Sequence, residues 1–153
     1  MRIIAADVDA TKLEQAKALG ADHVVNTRDG AAAAEQIRHI TGPRGTGLVL
    51  DCVGVQATVD LGAKSLGRNS VWTIVGLGGG RHDFNRGSTP YGCVMSIPYW
   101  GSRVELLEVI ALARDGRIHA ETTEFPLEQA VEVYAKLKAG QIRGRAVLIP
   151  AGA

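Results

Sequence analysis

Runs of consecutive apolar residues, separated by stretches with helical spacing, constrain the fold of this chain more than any other feature. The three clearest runs are Arg2–Ala6, Leu48–Val53 and Val71–Val75. A strand that is apolar at nearly every position is buried on both faces, which is typical of a parallel sheet covered by helices. The sequence therefore predicts an α/β fold in which these three runs are buried strands.

Helices and weaker strands fill the rest of the chain. Asp9 is a natural N-cap for the first helix, and Gly20 is suited to end it. Pro98 cannot donate to a ladder, so the strand that contains it is expected at a sheet edge. The predicted helices are Ala10–Leu19, Ala31–Ile40, Gln56–Leu66, Arg103–Arg114 and Leu127–Ala139, and the further predicted strands are His23–Asn26, Val94–Trp100, Ile118–Phe125 and Arg145–Ile149.

Composition and charge exclude several classes of function. The formal net charge of the 153 residues is +1 and no basic run exceeds two residues, so no nucleic-acid partner is expected. No apolar stretch is long enough to cross a bilayer, and the amino terminus lacks a signal-peptide pattern. We therefore expect a cytoplasmic chain without a membrane partner, in which Cys52 is buried and forms no disulfide with Cys93.

Asp7 directly follows the first apolar run and is the most informative polar position. In a doubly wound nucleotide-binding fold, an acid at the end of the second strand accepts hydrogen bonds from the adenosine ribose. Such a carboxylate also repels a 2′-phosphate, so it favours NAD over NADP. The residue alone leaves a second interpretation open, in which Asp7 only orients the turn before the helix.

Five segments carry a resemblance to one family. They are RIIAADVDATKLEQAKALGADHVVN at 2–26, LVLDCVG at 48–54, WTIVGL at 72–77, PYWG at 98–101 and QIRGRAV at 141–147. In this order they resemble the second βαβ unit, the fourth strand, the fifth strand, the strand that ends near the nicotinamide and the closing segment of the zinc-type medium-chain dehydrogenase/reductase family. Its alcohol dehydrogenases are the nearest type, and the resemblance covers essentially the whole chain.

The resemblance implies a set of cofactor contacts, and each has a plainer alternative. Read singly, Leu77, Tyr99 and Trp100 are more typical of a core, and Arg143 of a solvated cation. The implied contacts are Asp7 with Lys12 beside it at the adenosine ribose, Val53 and Gly54 on the adenosine side, Gly76 and Leu77 near the nicotinamide, Tyr99 and Trp100 at the carboxamide end, and Arg143 at the pyrophosphate.

Two glycine-rich stretches and four histidines do not support further sites. The stretch Gly76–Gly80 breaks the G-x-G-x-x-G pattern at Arg81, and Gly42–Gly47 precedes a strand instead of following one. Neither is expected at a strand-to-helix turn. The histidines are scattered, with no spacing that would place two on one metal ion; they are His23, His39, His82 and His119.

The resemblance further implies an incomplete doubly wound, Rossmann-like parallel sheet that lacks its first strand. Residues 1–101 would be a partial NAD-binding domain, and residues 102–153 the last helix of that domain and a segment that packs on a catalytic domain. The first strand is central in the strand order 3-2-1-4-5-6. Without it we expect the sheet to close on itself or to take a strand from a partner rather than stay open, and we expect apolar surface to be exposed from about Arg103 onward.

The function implied by the resemblance is that of an NAD-dependent alcohol dehydrogenase, which moves a hydride between an alcohol and NAD. The partners would be a small alcohol or carbonyl substrate and further copies in a homo-oligomer. Zinc is expected only in an N-terminal domain that has no counterpart here, so the isolated chain would be inactive. Two alternatives are a zinc-free quinone or enoyl reductase, which usually prefers NADP and lacks the acid at Asp7, and a non-catalytic nucleotide-binding or oligomerisation module.

Overall fold

A computed structural model describes residues 1–152 and divides the chain into two compact units, Met1–Trp100 and Gly101–Ala153. The elements of the first unit are β1 (Ile4–Asp7), α1 (Ala10–Ala18), β2 (His23–Asn26), α2 (Gly30–Thr41), β3 (Thr46–Asp51), α3 (Gln56–Ser65), β4 (Leu66–Ile74) and β5 (Val94–Ser96). Those of the second are α4 (Arg103–Arg114), β6 (Thr122–Pro126), α5 (Ala130–Lys138) and β7 (Arg145–Ile149). Short 3-10 turns precede β3 and α5.

Every strand pair is parallel, which confirms the predicted α/β class. In the first unit β1 pairs with β2 so that Asp7 lies opposite Asn26. A separate three-stranded sheet has the order β3-β4-β5, with Asp51 opposite Ile74. Strand β5 is at the edge of this sheet, as Pro98 predicted, although it ends at Ser96 and not at Trp100.

The two half-sheets of the first unit are not joined. Within residues 1–152 no ladder connects β1 to β3, so the expectation that the sheet closes on itself is wrong, and pairing with a partner strand stays a prediction. The covering helices give the reason, because Leu61 of α3 shares one buried cluster with Ile37 of α2 and Val25 of β2. Packed helices lie about 8–10 Å apart, roughly twice the ~4.8 Å spacing of paired strands, so this packing competes with a direct β1–β3 ladder.

A second cluster lies under α3 and holds the three-stranded sheet. Trp72 is fully buried between Val59 and Leu66, and the ring lies against Gly62, where a Cβ would crowd it. Burial of a large aromatic ring contributes more to such a small core than any other single side chain. This cluster fixes α3 on β3 and β4 and so sets where the turn between β3 and α3 begins.

The strands are covered on one face only, which corrects the prediction that they are fully buried. Leu48 and Leu50 of β3 are 51% and 60% exposed, whereas Val49 between them packs on the Trp72 cluster. Successive side chains of a strand point to opposite faces, so Cys52, which continues the Leu48–Leu50 face, is exposed as well. The prediction of a buried Cys52 is therefore wrong, and Cys52 and Cys93 are both free cysteines.

The second unit is built on one parallel pair, β6 and β7, with Val133 of α5 as its buried apolar residue. Helix α4 begins with a capping box, in which Ser102 and Glu105 exchange side-chain and backbone hydrogen bonds. Most of its apolar residues are exposed, which confirms the expected apolar surface after Arg103. Among the described residues, no helix has the length and apolar character that a membrane crossing requires.

Candidate functional site

The carboxyl ends of the strands in the first unit carry most of the residues singled out from the sequence. Because each half-sheet is parallel, the ends of β1 and β2 lie together, as do those of β3, β4 and β5. In open α/β sheets, ligands bind outside the carboxyl ends of the strands. The turns after β1, β3 and β4 are therefore the parts of the chain from which a site can be built.

Asp7 is the last residue of β1 and is partly exposed. Its Oδ1 accepts a hydrogen bond from the backbone N–H of Asp9 at 2.9 Å, so the carboxylate does orient the turn before α1. Its backbone carbonyl accepts from the N–H of Thr27 at 3.0 Å, which ties the ends of β1 and β2. Nothing in residues 1–152 donates to Oδ2, so the turn-orienting role leaves one carboxylate oxygen available to a ligand hydroxyl.

Arg28, which follows β2, contacts the turn after β1, and it was not predicted as a site residue from the sequence. Its Nε donates to the carbonyl of Val8 at 3.0 Å, across twenty positions of sequence. Its backbone N–H donates to Oδ1 of Asn26 at 3.0 Å. The only available signal was its position two residues after the strand that pairs with β1. The predicted contact Lys12 is exposed in the first turn of α1.

The turn after β3 is organised by a buried carboxylate that the sequence did not single out. Oδ1 of Asp51 accepts the backbone N–H groups of Val53 at 2.9 Å and Gly54 at 2.8 Å. Its backbone carbonyl accepts from the N–H groups of Val75 and Gly76, the residues that follow β4. One residue thus holds both turns that carry four of the predicted cofactor contacts. Its Oδ2 is buried without a hydrogen-bond partner among the described residues.

One glycine in the turn after β3 and two in the segment after β4 let the two segments run directly alongside each other. A Cβ on Gly54, Gly76 or Gly78 would overlap the backbone of the opposite segment. The N–H groups of Gly78 and Gly80 donate to the carbonyls of Val53 and Gly54 at 3.1 and 2.8 Å. The glycine-rich stretch is therefore not at a strand-to-helix turn, as expected, and its pattern of every second residue reflects close backbone contact.

Gln56, the first residue of α3, locks this segment in place. Its Oε1 accepts from the backbone N–H of Arg81 at 3.0 Å, and its Nε2 donates to the carbonyl of Arg81 at 3.1 Å. Nε2 also lies 2.7 Å from Oδ1 of Asp60, one turn along the helix. An amide side chain can pair with a backbone peptide at both groups, and here it fixes the end of the glycine segment against the start of α3.

The remaining predicted contacts are on the surface. Leu77, Tyr99 and Trp100 are each more than 80% exposed, so the alternative that these three are core residues is wrong. Tyr99 and Trp100 contact each other edge to face, with ring centroids 5.4 Å apart. Arg143 belongs to the second unit, where its Nε lies 2.7 Å from Oε1 of Glu121 in an exposed ion pair. Its contact with a pyrophosphate stays a prediction.

The described residues contain no group of three histidine, cysteine or acidic side chains that could hold a metal ion. His82 is instead packed edge to face on Trp72, with ring centroids 5.1 Å apart, and its Nε2 lies 3.0 Å from the hydroxyl of Thr89. Catalytic zinc needs three protein ligands, so no step of a reaction is assigned to zinc within this part of the chain.

Comparisons with known proteins agree with this arrangement. The sequence model of the zinc-binding dehydrogenase family matches residues 1–98. The NAD-dependent alcohol dehydrogenases of Sulfolobus acidocaldarius and Saccharolobus solfataricus are 33% and 32% identical to this chain, over 95% and 97% of its length but only 42% and 43% of theirs. The crystal structure of the alcohol dehydrogenase from Aeropyrum pernix superimposes with a TM-score of 0.82 at 38% identity, over 96% of this chain and 42% of that one.

The chain thus spans about two-fifths of the length of these relatives. Parallel half-sheets, an acid at the end of β1 and glycine-lined turns after β3 and β4 are all found within the 98 residues that the family model matches. The match covers more than half of the sequence, and two relatives exceed 30% identity over nearly all of it. This chain belongs to the zinc-binding dehydrogenase family.

Proposed function

We propose that this chain forms part of the NAD-binding half of an alcohol dehydrogenase and that Asp7 binds the adenosine ribose. The single observation that carries the proposal is the state of the Asp7 carboxylate. One of its oxygens is used to fix the turn, and the other has no donor within residues 1–152 and lies at the carboxyl end of a parallel strand. A ribose hydroxyl supplies the donor that this oxygen lacks.

The charge of Asp7 also selects between dinucleotides. A 2′-phosphate placed about 4 Å from the carboxylate would be repelled by roughly 4 kcal/mol near a protein surface before salt screening. The ribose of NAD carries a hydroxyl there and meets no such repulsion. The carboxylate therefore favours NAD, and it argues against the zinc-free quinone or enoyl reductase alternative, whose usual cofactor is NADP.

The turns after β3 and β4 would provide the wall along which the rest of the dinucleotide lies. The carboxylate of Asp51 accepts from the backbone N–H groups of Val53 and Gly54, and its backbone carbonyl accepts from the N–H of Gly76. The exposed side chain of Leu77 then offers an apolar surface at the nicotinamide end. The close backbone contact of these turns makes the wall rigid, which lowers the entropy lost when a ligand binds.

The bound dinucleotide would supply the hydride chemistry, exchanging a hydride with the carbon of an alcohol, aldehyde or ketone. The residues named above would bind and orient it, and none of them is assigned the hydroxyl proton of a substrate. We therefore expect nucleotide binding without turnover by the isolated chain. A cytoplasmic location and a homo-oligomer with a small alcohol or carbonyl substrate complete the proposal.

Calorimetric titration of NAD and NADP into the purified chain tests the assignment. We expect tighter binding of NAD, and we expect Asp7→Asn to weaken NAD binding about tenfold, since a hydrogen bond to a charged group is lost. The same substitution should narrow the difference between NAD and NADP. Asp115→Asn is the matched control, because it removes an equal charge from an exposed carboxylate that makes no hydrogen bond among the described residues.

The outcomes separate the alternatives. Binding of NAD without oxidation of any alcohol agrees with the proposal, and oxidation by the isolated chain would contradict the expected inactivity. A preference for NADP would favour the zinc-free reductase. Absence of binding, or an Asp7→Asn chain that binds NAD as the parent does, would contradict the role of Asp7.

A further inference from the structure

Arg28 brings a positive charge to the carboxyl end of the strand pair that carries Asp7, the carboxylate proposed to bind the ribose. The pairing of β1 with β2 puts Asp7 opposite Asn26, so Arg28 follows only two residues beyond that pair. Within residues 1–152 no carboxylate lies within 4.0 Å of its guanidinium, because the ion pairs there join other residues. The carboxyl end of the β1–β2 pair thus carries a negative charge at Asp7 and a positive charge at Arg28.

The side chain of Arg28 is fixed at Nε, and in the described part of the chain its two terminal guanidinium nitrogens are free to bind a ligand. Its backbone N–H is fixed on Asn26, and its Nε on the carbonyl of Val8, the residue directly after Asp7. The two terminal nitrogens make no hydrogen bond within the described residues, and Arg28 is exposed to solvent. A guanidinium tip carries donors in a planar fork that matches two oxygens of a phosphate. Because Nε is already held by the carbonyl of Val8, the side chain loses less rotamer freedom when its terminal nitrogens bind a phosphate.

We propose that Arg28 is a selectivity residue for the 2′ position of the ribose, which offsets the repulsion by Asp7 and lets the site accept a 2′-phosphate. The inference rests on the proposed adenosine site. Asp7 alone would exclude a 2′-phosphate strongly, whereas a guanidinium tip anchored on the neighbouring residue attracts it. The chain is then selective for NAD by a narrower margin than the carboxylate predicts.

The test compares two probes that differ only by the 2′-phosphate, 5′-AMP and adenosine 2′,5′-bisphosphate, with dissociation constants from NMR titration of amide shifts. Arg28→Gln should weaken the bisphosphate about fivefold, the range for one exposed charge contact, and change 5′-AMP by less than twofold. Arg28→Lys keeps the charge but loses the planar fork and the Nε anchor, so it should restore only part of the bisphosphate affinity that Arg28→Gln loses. The fivefold effect should shrink as salt is raised from 0.05 to about 0.5 M.

Arg44→Gln is the matched control, since it removes the same charge from an exposed arginine that precedes β3, at the amino end of a strand. Circular dichroism and the melting temperature of each variant establish that it is folded.

Equal weakening of both probes by Arg28→Gln would show that the Val8 contact only supports the turn, and would overturn the inference while leaving the adenosine site intact. An unchanged bisphosphate affinity would overturn it as well. Failure of the parent chain to bind either probe would instead overturn the proposed function, and this inference with it.

Discussion

Gly54 and Gly76 meet backbone to backbone where β3 and β4 end. Gly54 is buried with φ of +71°, in the left-handed region that side chains disfavour, and the place of a Cβ is filled by the carbonyl of Gly76. Nearby Gly79 has a similar φ of +77° but open space around it. Comparing substitutions at Gly54 and Gly79 therefore separates the energetic cost of the backbone conformation from the cost of the steric overlap.

Gly54→Ala should lower the free energy of unfolding by about 3 kcal/mol, whereas Gly79→Ala should lower it by about 1 kcal/mol. Both substitutions require a non-glycine residue at positive φ, and only the first also forces two backbone segments apart. Urea denaturation followed by circular dichroism measures the difference. Equal losses for the two variants would mean that the turns after β3 and β4 separate easily, contrary to the close contact described above.

The sequence is informative about single residues when their role is local, and uninformative when it depends on distant partners. Asp9 was predicted as an N-cap, and its side chain accepts from Thr11. The side chain of Arg28 and the backbone carbonyl of Asp51 act through partners 20 and up to 25 positions away, on other elements, and no local pattern marks these contacts. Cys52 was mispredicted because an apolar run does not tell which face of its strand a helix covers.

At the scale of elements, a side chain in the connection between α1 and β2 fixes the amino end of the first half-sheet. Asp22 Oδ2 accepts the backbone N–H of Ile3 at 2.6 Å, just before β1, and its own carbonyl accepts from Nζ of Lys17 at 2.7 Å. The hydrogen bond from Ile3 is the main reason that the pKa of Asp22 is lowered, with smaller contributions from the charges of His23 and Lys17. The contact therefore prefers the ionised carboxylate.

This preference gives the sign of a pH effect. A carboxyl group whose pKa is lower in the folded chain stabilises it at neutral pH, and that contribution is lost as the pH falls through the folded value, below the usual ~3.9. Asp22→Asn should therefore lower the melting temperature at pH 7, and the difference from the parent chain should shrink by pH 3. Asp115→Asn should leave the melting temperature nearly unchanged at pH 7. A deficit of Asp22→Asn that is equal at both pH values would contradict the role of the charge.

Element boundaries were predicted best where the ends are marked by local chemistry. The predicted ranges of α4, β2 and β7 match the structure, and α4 begins at a capping box that is visible in the sequence. Strand β4 begins at Leu66, five residues before the predicted Val71, because Gly67–Ser70 continue it through a bulge in which Asn69 adopts positive φ. Such bulges depend on the neighbouring strand, so apolar periodicity alone does not place them.

At the scale of the whole molecule, α4 presents more apolar surface than a solvated helix usually carries. Leu106 and Leu107 are exposed, together with further apolar residues of this helix: Val104, Val109 and Ile110. Contiguous apolar patches on a chain mark places where another polypeptide packs. The sequence predicted this exposure from the family resemblance, while the separation of the half-sheets needed the packing of α2 on α3, which no single segment encodes.

We expect this surface to drive self-association of the chain. Sedimentation velocity should detect species heavier than the monomer at micromolar concentration, and the double substitution Leu106→Gln and Leu107→Gln should shift the distribution toward monomer. Leu19→Gln is the control, since Leu19 is even more exposed but stands at the end of α1, outside this patch. A distribution that responds to Leu19→Gln as strongly as to the double substitution would rule out a specific role for α4.

The contrast between the two tryptophans gives the molecule a pair of optical reporters. Trp72 is wholly enclosed and Trp100 is 82% exposed, and the chain has no third indole. A neutral quencher such as acrylamide should reach the emission of Trp100 and leave that of Trp72 until the cluster under α3 opens. Shielding of the exposed indole by a bound dinucleotide and release of the enclosed one on unfolding would then be read from a single emission spectrum.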